Sequence, residues 1–191
     1  MIRQTLLIVA LATGVALAQA KSYEFDVAHS TIGFTVTHLT INEVPGSFKE
    51  FTGTFAWDEK NPANSKLEVV AKAASIDTAN AKRDEHLKSP DFFDVAKTPD
   101  VKFTAKSFKA ESGNQYTVSG DLSFHGVTKA VSFPITVTPE VTHPMSKQQV
   151  RGLKAIFTVK RTDFKLAEKF PMMVVGDEVS VKVVAEVSRK P

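Results

Sequence analysis

Apolar and polar residues alternate with a period of two along most of the chain, the pattern of strands whose successive side chains face opposite sides of a sheet. The apolar positions run Ile32, Phe34, Val36; Phe51, Gly53, Phe55, Trp57; Leu67, Val69, Ala71, Ala73; and Val101, Phe103, Ala105. They continue as Tyr116 to Phe124, Val131 to Val137, Leu153 to Val159 and Val179 to Val187, each in steps of two. With an opening run at Tyr23–Val27, about nine strands are predicted. Their alternate positions carry Thr, Ser and Lys, so one face is wet. Turn signals separate the runs at Pro45-Gly46, Lys60-Asn61-Pro62, Ser112-Gly113-Asn114, His125-Gly126, Pro139 and Gly176-Asp177. Phe48 and Phe51 differ in phase, which predicts a bulge near Lys49 and Glu50.

One segment, residues 75–96, departs from this pattern. Asn80 followed by Lys82-Arg83-Asp84-Glu85-His86-Leu87 predicts a capped short helix, and Ser89-Pro90-Asp91 has the start signals of a second. The expected fold is therefore all-β, an antiparallel barrel or sandwich with one or two short helices inserted around residues 80–95. A barrel of about eight strands is favoured because closure removes exposed edges. Its interior is just wide enough to be filled by side chains or to hold one small ligand.

The first twenty residues read as a secretory leader: Arg3, an apolar stretch Leu6–Leu17, and Ala18-Gln19-Ala20 as a cleavage site. A periplasmic location is the expectation. Without those twenty residues 171 remain, one domain in size, with 23 Lys and Arg against 21 Asp and Glu. So small an excess of positive charge, spread without blocks, argues against nucleic acid. The chain has no cysteine, which removes disulfides, thiolate chemistry and cysteine metal sites. The glycines are too scattered for a dinucleotide or phosphate loop, and there is no Gly-x-Ser-x-Gly elbow or His-Glu-x-x-His run. No cofactor is expected.

Fourteen phenylalanines stand against two tyrosines and one tryptophan, which supplies apolar area without polar handles. Phase and apolarity nominate Phe34, Val36, Phe55, Phe103, Phe133, Ile135 and Phe157 as wall residues of an apolar interior. Phe48, Leu87, Phe92 and Phe93 join them near the helical insertion. His38 shares the phase of Phe34 and Val36, and reads either as a hydrogen-bonded core histidine or as a polar group at a cavity mouth. Arg83 and His86 read either as a solvated helix face or as a grip on the anionic or polar head of a ligand. His125 and His143 adjoin turns and are expected in solvent. The apolar stretch Phe170–Val175 is either a packed loop or a mobile lid.

These residues resemble the YceI-like family of exported, lipocalin-like proteins. The resemblance covers nearly the whole chain after the leader: Asp26-x-x-His29-Ser30-x-Ile32-x-Phe34, Gly46-x-Phe48, Phe51-x-Gly53, Ser75-Ile76-Asp77-Thr78, Arg83-Asp84-x-His86-Leu87, Phe92-Phe93-Asp94, Gly120-Asp121-Leu122, Gly126-Val127-Thr128-Lys129, Arg161-x-Asp163-Phe164 and Gly176-Asp177-Glu178-Val179. It implies an eight-stranded barrel with a deep apolar tunnel for polyisoprenoid or similar long-chain amphiphiles, and no demonstrated catalysis. Lys165-Leu166 stand where such chains often carry glycine. The functional expectation is a periplasmic lipid carrier. Two alternatives stay open: an enzyme acting on a lipid head with His38 or His86 as base, and a stress-response barrel without ligand. A homodimer and transient contact with a membrane or membrane protein are compatible with the sequence.

Overall fold

The computed structural model describes residues 20–191; the expected leader, apart from Ala20, lies outside the described residues. Eleven strands follow in chain order: β1 (Lys21–His38), β2 (Asn42–Phe48), β3 (Phe51–Trp57), β4 (Lys66–Lys72), β5 (Ile76–Asp77), β6 (Asp100–Ala110), β7 (Gln115–Phe124), β8 (Val127–Val137), β9 (Val141–Thr142), β10 (Gln149–Lys160) and β11 (Val175–Arg189). Eight of them, in the order β11-β10-β8-β7-β6-β4-β3-β1, close into an antiparallel barrel through the β1–β11 pairing. The short strands β2 and β5 extend the sheet from the second half of β1, and β9 pairs with β10.

The two opening runs of the sequence form one strand, because β1 absorbs their change of phase in a bulge. Phe25 pairs with Val187 and Ile32 with Val183, so seven steps along β1 answer four along β11. Three extra residues, an odd number, exchange the inner and outer faces of the strand. Tyr23 and Phe25 therefore share the interior with Ile32, Phe34 and Val36. The expected bulge at Lys49 and Glu50 is instead a break between β2 and β3, where both backbone N–H groups donate to Ser75, at its carbonyl and hydroxyl oxygens. Gly46 faces Phe34 in register across β1 and β2, and a side chain there would overlap the Phe34 ring.

A single helix, α1 (Ala81–Lys88), forms in the insertion, with the Asn80 side chain accepting from Arg83 N at 3.0 Å. The second helix start at Ser89-Pro90 makes only a chain of turns. Asp94 adopts a left-handed backbone (φ 44°), and Thr98 Oγ1 donates to the carbonyls of Phe93 and Asp94, which holds the segment bent.

Inward-facing residues change character along the barrel. On β11 they pass from half-buried Val179, Val181 and Val183 to buried Ala185 and Val187; on β10 they pass from Phe157 and Val159 to Leu153 and Ala155. The first and last described residues lie near the solid end, which Tyr23, Phe55, Trp57 and Phe108 fill by aromatic packing. There the buried Arg151 donates to Tyr23 Oη at 2.8 Å and pairs with Glu59 at 3.1 Å, while Glu140 takes Lys21 and Tyr23. At the other end the same inward positions face a void.

Candidate functional site

That void is a cavity of about 200 Å³ whose wall is almost entirely hydrocarbon. Of the nominated wall residues, Phe34, Val36, Phe48, Leu87, Phe92, Phe93, Phe103, Phe133, Ile135 and Phe157 border it. The rings are mutually ordered: Phe133 stacks on Phe157 with centroids 3.9 Å apart, Phe103 lies 5.1 Å from Phe133, and Phe93 meets Phe48 edge-on at 5.8 Å. Among the described residues, two charged ones adjoin the cavity. Lys154 turns outward to solvent, and Arg161 is buried with its donors consumed elsewhere.

Arg161 organises the open end. Its guanidinium makes six hydrogen bonds to five backbone carbonyls: Nε to Val175 and Gly176, Nη1 to Leu166 and Ala167, and Nη2 to Phe170 and Val175, at 2.8–3.3 Å. One side chain thereby supplies donors both to the loop before β11, which has no strand partner, and to the first two residues of β11, and it presses Leu166 and Ala167 against the cavity. Lys165, at the position noted for glycine in similar chains, adopts the left-handed backbone (φ 56°) that glycine favours.

Four nominated residues do not border the cavity. Phe55 is 1% exposed in the packed end between Tyr23 and Trp57, because its run lies nearer the solid end than its phase alone could tell. His38 is exposed at the end of β1, where the strand has left the barrel for the hairpin turn. Arg83 folds back onto its own segment: Nε donates to Thr78 Oγ1 and Nη2 to Thr78 O, each at 2.7 Å, while Thr78 is held by Asp84. His86 points outward from α1 as Leu87 points in. Its ring meets Phe92 and Phe170 edge-on and its Nε2 lies 3.2 Å from Asp91. Lys169 and then His86 hold the Asp91 carboxyl below its ordinary pKa. Phe170 stacks on Phe92 at 4.9 Å, so the loop's first residue is packed, while Met172 and Met173 are exposed.

Reasoning from the sequence missed other wall residues. Val179, Val181 and Val183 carry the alternation signal plainly; Phe25 needed the three-residue bulge to turn inward; Leu166 and Ala167 sit in a loop with no period. His125 is not in open solvent: its Nδ1 lies 3.1 Å from Phe164 O. His143 caps its own turn, Nδ1 accepting from the N–H groups of Met145 and Ser146. Outside the cavity, Asp26, His29 and Glu186 bring ligand-type atoms within 4.8 Å of one another on the β1 bulge. Asp26 already accepts from two backbone N–H groups and lies 2.8 Å from His29 Nδ1. That contact raises the His29 pKa and lowers that of Asp26.

A family model described as the YceI-like domain matches residues 23–187. The chain belongs to the YceI-like family. A UPF0312 protein of Photorhabdus laumondii is 40% identical over 157 residues, covering 81% of each chain. Among solved structures, Burkholderia cenocepacia BcnA superposes with a TM-score of 0.78 at 22% identity, covering 85% of this chain and 98% of that one. A polyisoprenoid binding domain from Saccharophagus degradans gives 0.67 at 16% identity, covering 91% and 100%. These two likenesses are of fold. They match the eight-stranded closed barrel with one helix, the lipocalin-like architecture of the YceI-like family.

Proposed function

We propose that this YceI-like barrel is an exported carrier that sequesters the hydrocarbon tail of a polyisoprenoid or similar long-chain amphiphile, leaving the head group outside. The observation that carries this reading is the apolar cavity itself, which among the described residues offers a ligand no free polar partner. A 200 Å³ space has room for about seven water-sized groups, at roughly 30 Å³ each. At about 0.8 kcal/mol per buried CH₂ the tail gains ~6 kcal/mol from the existing void. Longer chains gain more by continuing past the wall residues Val36, Leu87 and Val175 at the open end. The Saccharophagus domain, polyisoprenoid-binding by its description, shares the barrel and supports the choice of tail.

Binding is preferred to chemistry on a lipid head because the two histidines considered as bases, His38 and His86, both lie outside the cavity wall. The leader expected at residues 1–20 supports the periplasm as the place of action. Native mass spectrometry of protein purified from the periplasm tests the proposal. The expected spectrum contains a non-covalent adduct of long-chain lipid mass that organic extraction removes. An empty protein that also ignores added isoprenoids contradicts it.

A further inference from the structure

At the end of the barrel that holds the cavity, two loops next to wall residues Val36 and Val175 present large apolar side chains to solvent. The β1–β2 hairpin turns at His38–Ile41, closed by Ile41 N donating to His38 O at 3.2 Å, with Leu39 and Thr40 both at positive φ (51° and 62°). Such turns are ordinarily built from Asn-Gly or Asp-Gly, which take that backbone without strain and are polar. Here the turn instead exposes Leu39 (48%) and Ile41 (84%). Beside it, Met172 and Met173 are 58% and 68% exposed, and Leu39 N donates to Val174 O at 3.1 Å, tying the two loops together. Four of the nine exposed large apolar residues among the described residues thus form one cluster. The cluster is continuous with the cavity, since Val36 leads into the hairpin and Val175 follows the methionines, and both border the void.

We propose that this cluster is a docking surface for a lipid bilayer, which seats the mouth among the head groups so that a tail passes between membrane and barrel without crossing water. The inference rests on the tail-carrier reading and adds where the tail is exchanged. Two physical points favour a bilayer over a second copy of the chain or another protein. Four side chains make a patch of a few hundred Å², whereas a stable protein interface needs about 800 Å² per partner. Unbranched methionines and a protruding isoleucine suit a fluid, shapeless partner into which they insert shallowly. Along the sequence, the two loops that carry the patch are flanked by charges of both signs, Glu43 and Glu168 against Lys165 and Lys169, the last paired with Asp91. The interaction is therefore driven by apolar area and depends little on anionic lipid.

The test is flotation of the mature chain with phosphatidylcholine vesicles, comparing wild type with the double variant Ile41→Asp/Met173→Asp. Uptake of a fluorescent geranylgeranyl probe is measured separately in vesicle-free buffer. Wild type is expected to float, with little change when phosphatidylglycerol is added. The double variant is expected to lose at least about tenfold in partition, since charge at an inserted tip opposes entry. Both altered sites are exposed, so its melting temperature and probe affinity should match wild type, and Ile41→Trp should float at least as well. Wild type that stays in the subphase, or a double variant that floats equally, overturns the proposal. So does a wild-type dimer in sedimentation that the double variant abolishes, because the patch then belongs to a second copy. Flotation by a protein that refuses the probe supports the docking surface and defeats the carrier reading alone.

Discussion

Val183 offers a way to shorten the cavity from within. It pairs with Ile32 on one side and Ala155 on the other, faces the void, and is only half-buried although it points inward. Val183→Phe adds four carbons to a space for about seven water-sized groups. Excluding four tail carbons at about 0.8 kcal/mol each removes ~3 kcal/mol of binding. At 1.4 kcal/mol per decade that is a loss of about 200-fold in affinity. Stability should move the other way or hold. Four groups of about 30 Å³ fill roughly 120 Å³, worth up to ~3 kcal/mol at about 24 cal/mol per Å³ of apolar void. Crowding of the ring takes back about 1–3 kcal/mol. The assay pairs probe titration with urea unfolding. A variant that folds as well as wild type and binds the probe equally tightly would refute the placement of the tail in this cavity.

Arg161→Met strands five backbone carbonyls at the mouth and should cost about 3–5 kcal/mol, with water reaching some of them; urea unfolding gives the cost, and hydrogen exchange should localise the loss to residues 161–175. Lys165→Gly relieves a left-handed lysine, so a small gain of about 0.5–1 kcal/mol is expected after glycine's entropy is counted, and a lower melting temperature would contradict it. The His29 imidazole should titrate above its ordinary 6.5, because its hydrogen bond and charge contact with Asp26 favour the protonated form. The sign follows from linkage: the raised His29 makes the pair's contribution complete below about pH 6.5 and lost as pH rises through the folded value. The lowered Asp26 makes it fade again as pH falls through the acidic carboxylate range. NMR titration of wild type and Asp26→Asn should show the histidine falling toward its ordinary value in the variant, since the Asp26 hydrogen bond is the largest cause of the rise.

The barrel was legible because period-two alternation is a direct consequence of strand geometry, and each long run became a strand. What the period cannot report is depth. Phe55 and Phe103 share the same alternating apolar signature, yet one seals the packed end and the other borders the void, because strand stagger around the barrel decides height. Nor can it report a side chain's partner. Arg83 looked free on a polar helix face, and the short Thr78–Asp84 network that claims it is assembled only when the segment folds back. Arg161 shows the converse. Its partners are all main-chain carbonyls, and these carry no signature in side-chain chemistry.

Photolabelling with a diazirine-bearing geranylgeranyl probe, mapped by peptide mass spectrometry, asks where a bound tail lies. Adducts are expected on inward positions of the open half, above all Phe34, Phe157, Val181 and Val183. Adducts confined to outward apolar residues such as Ile156 and Val184, with the inner wall untouched, would contradict a hydrocarbon chain inside the barrel.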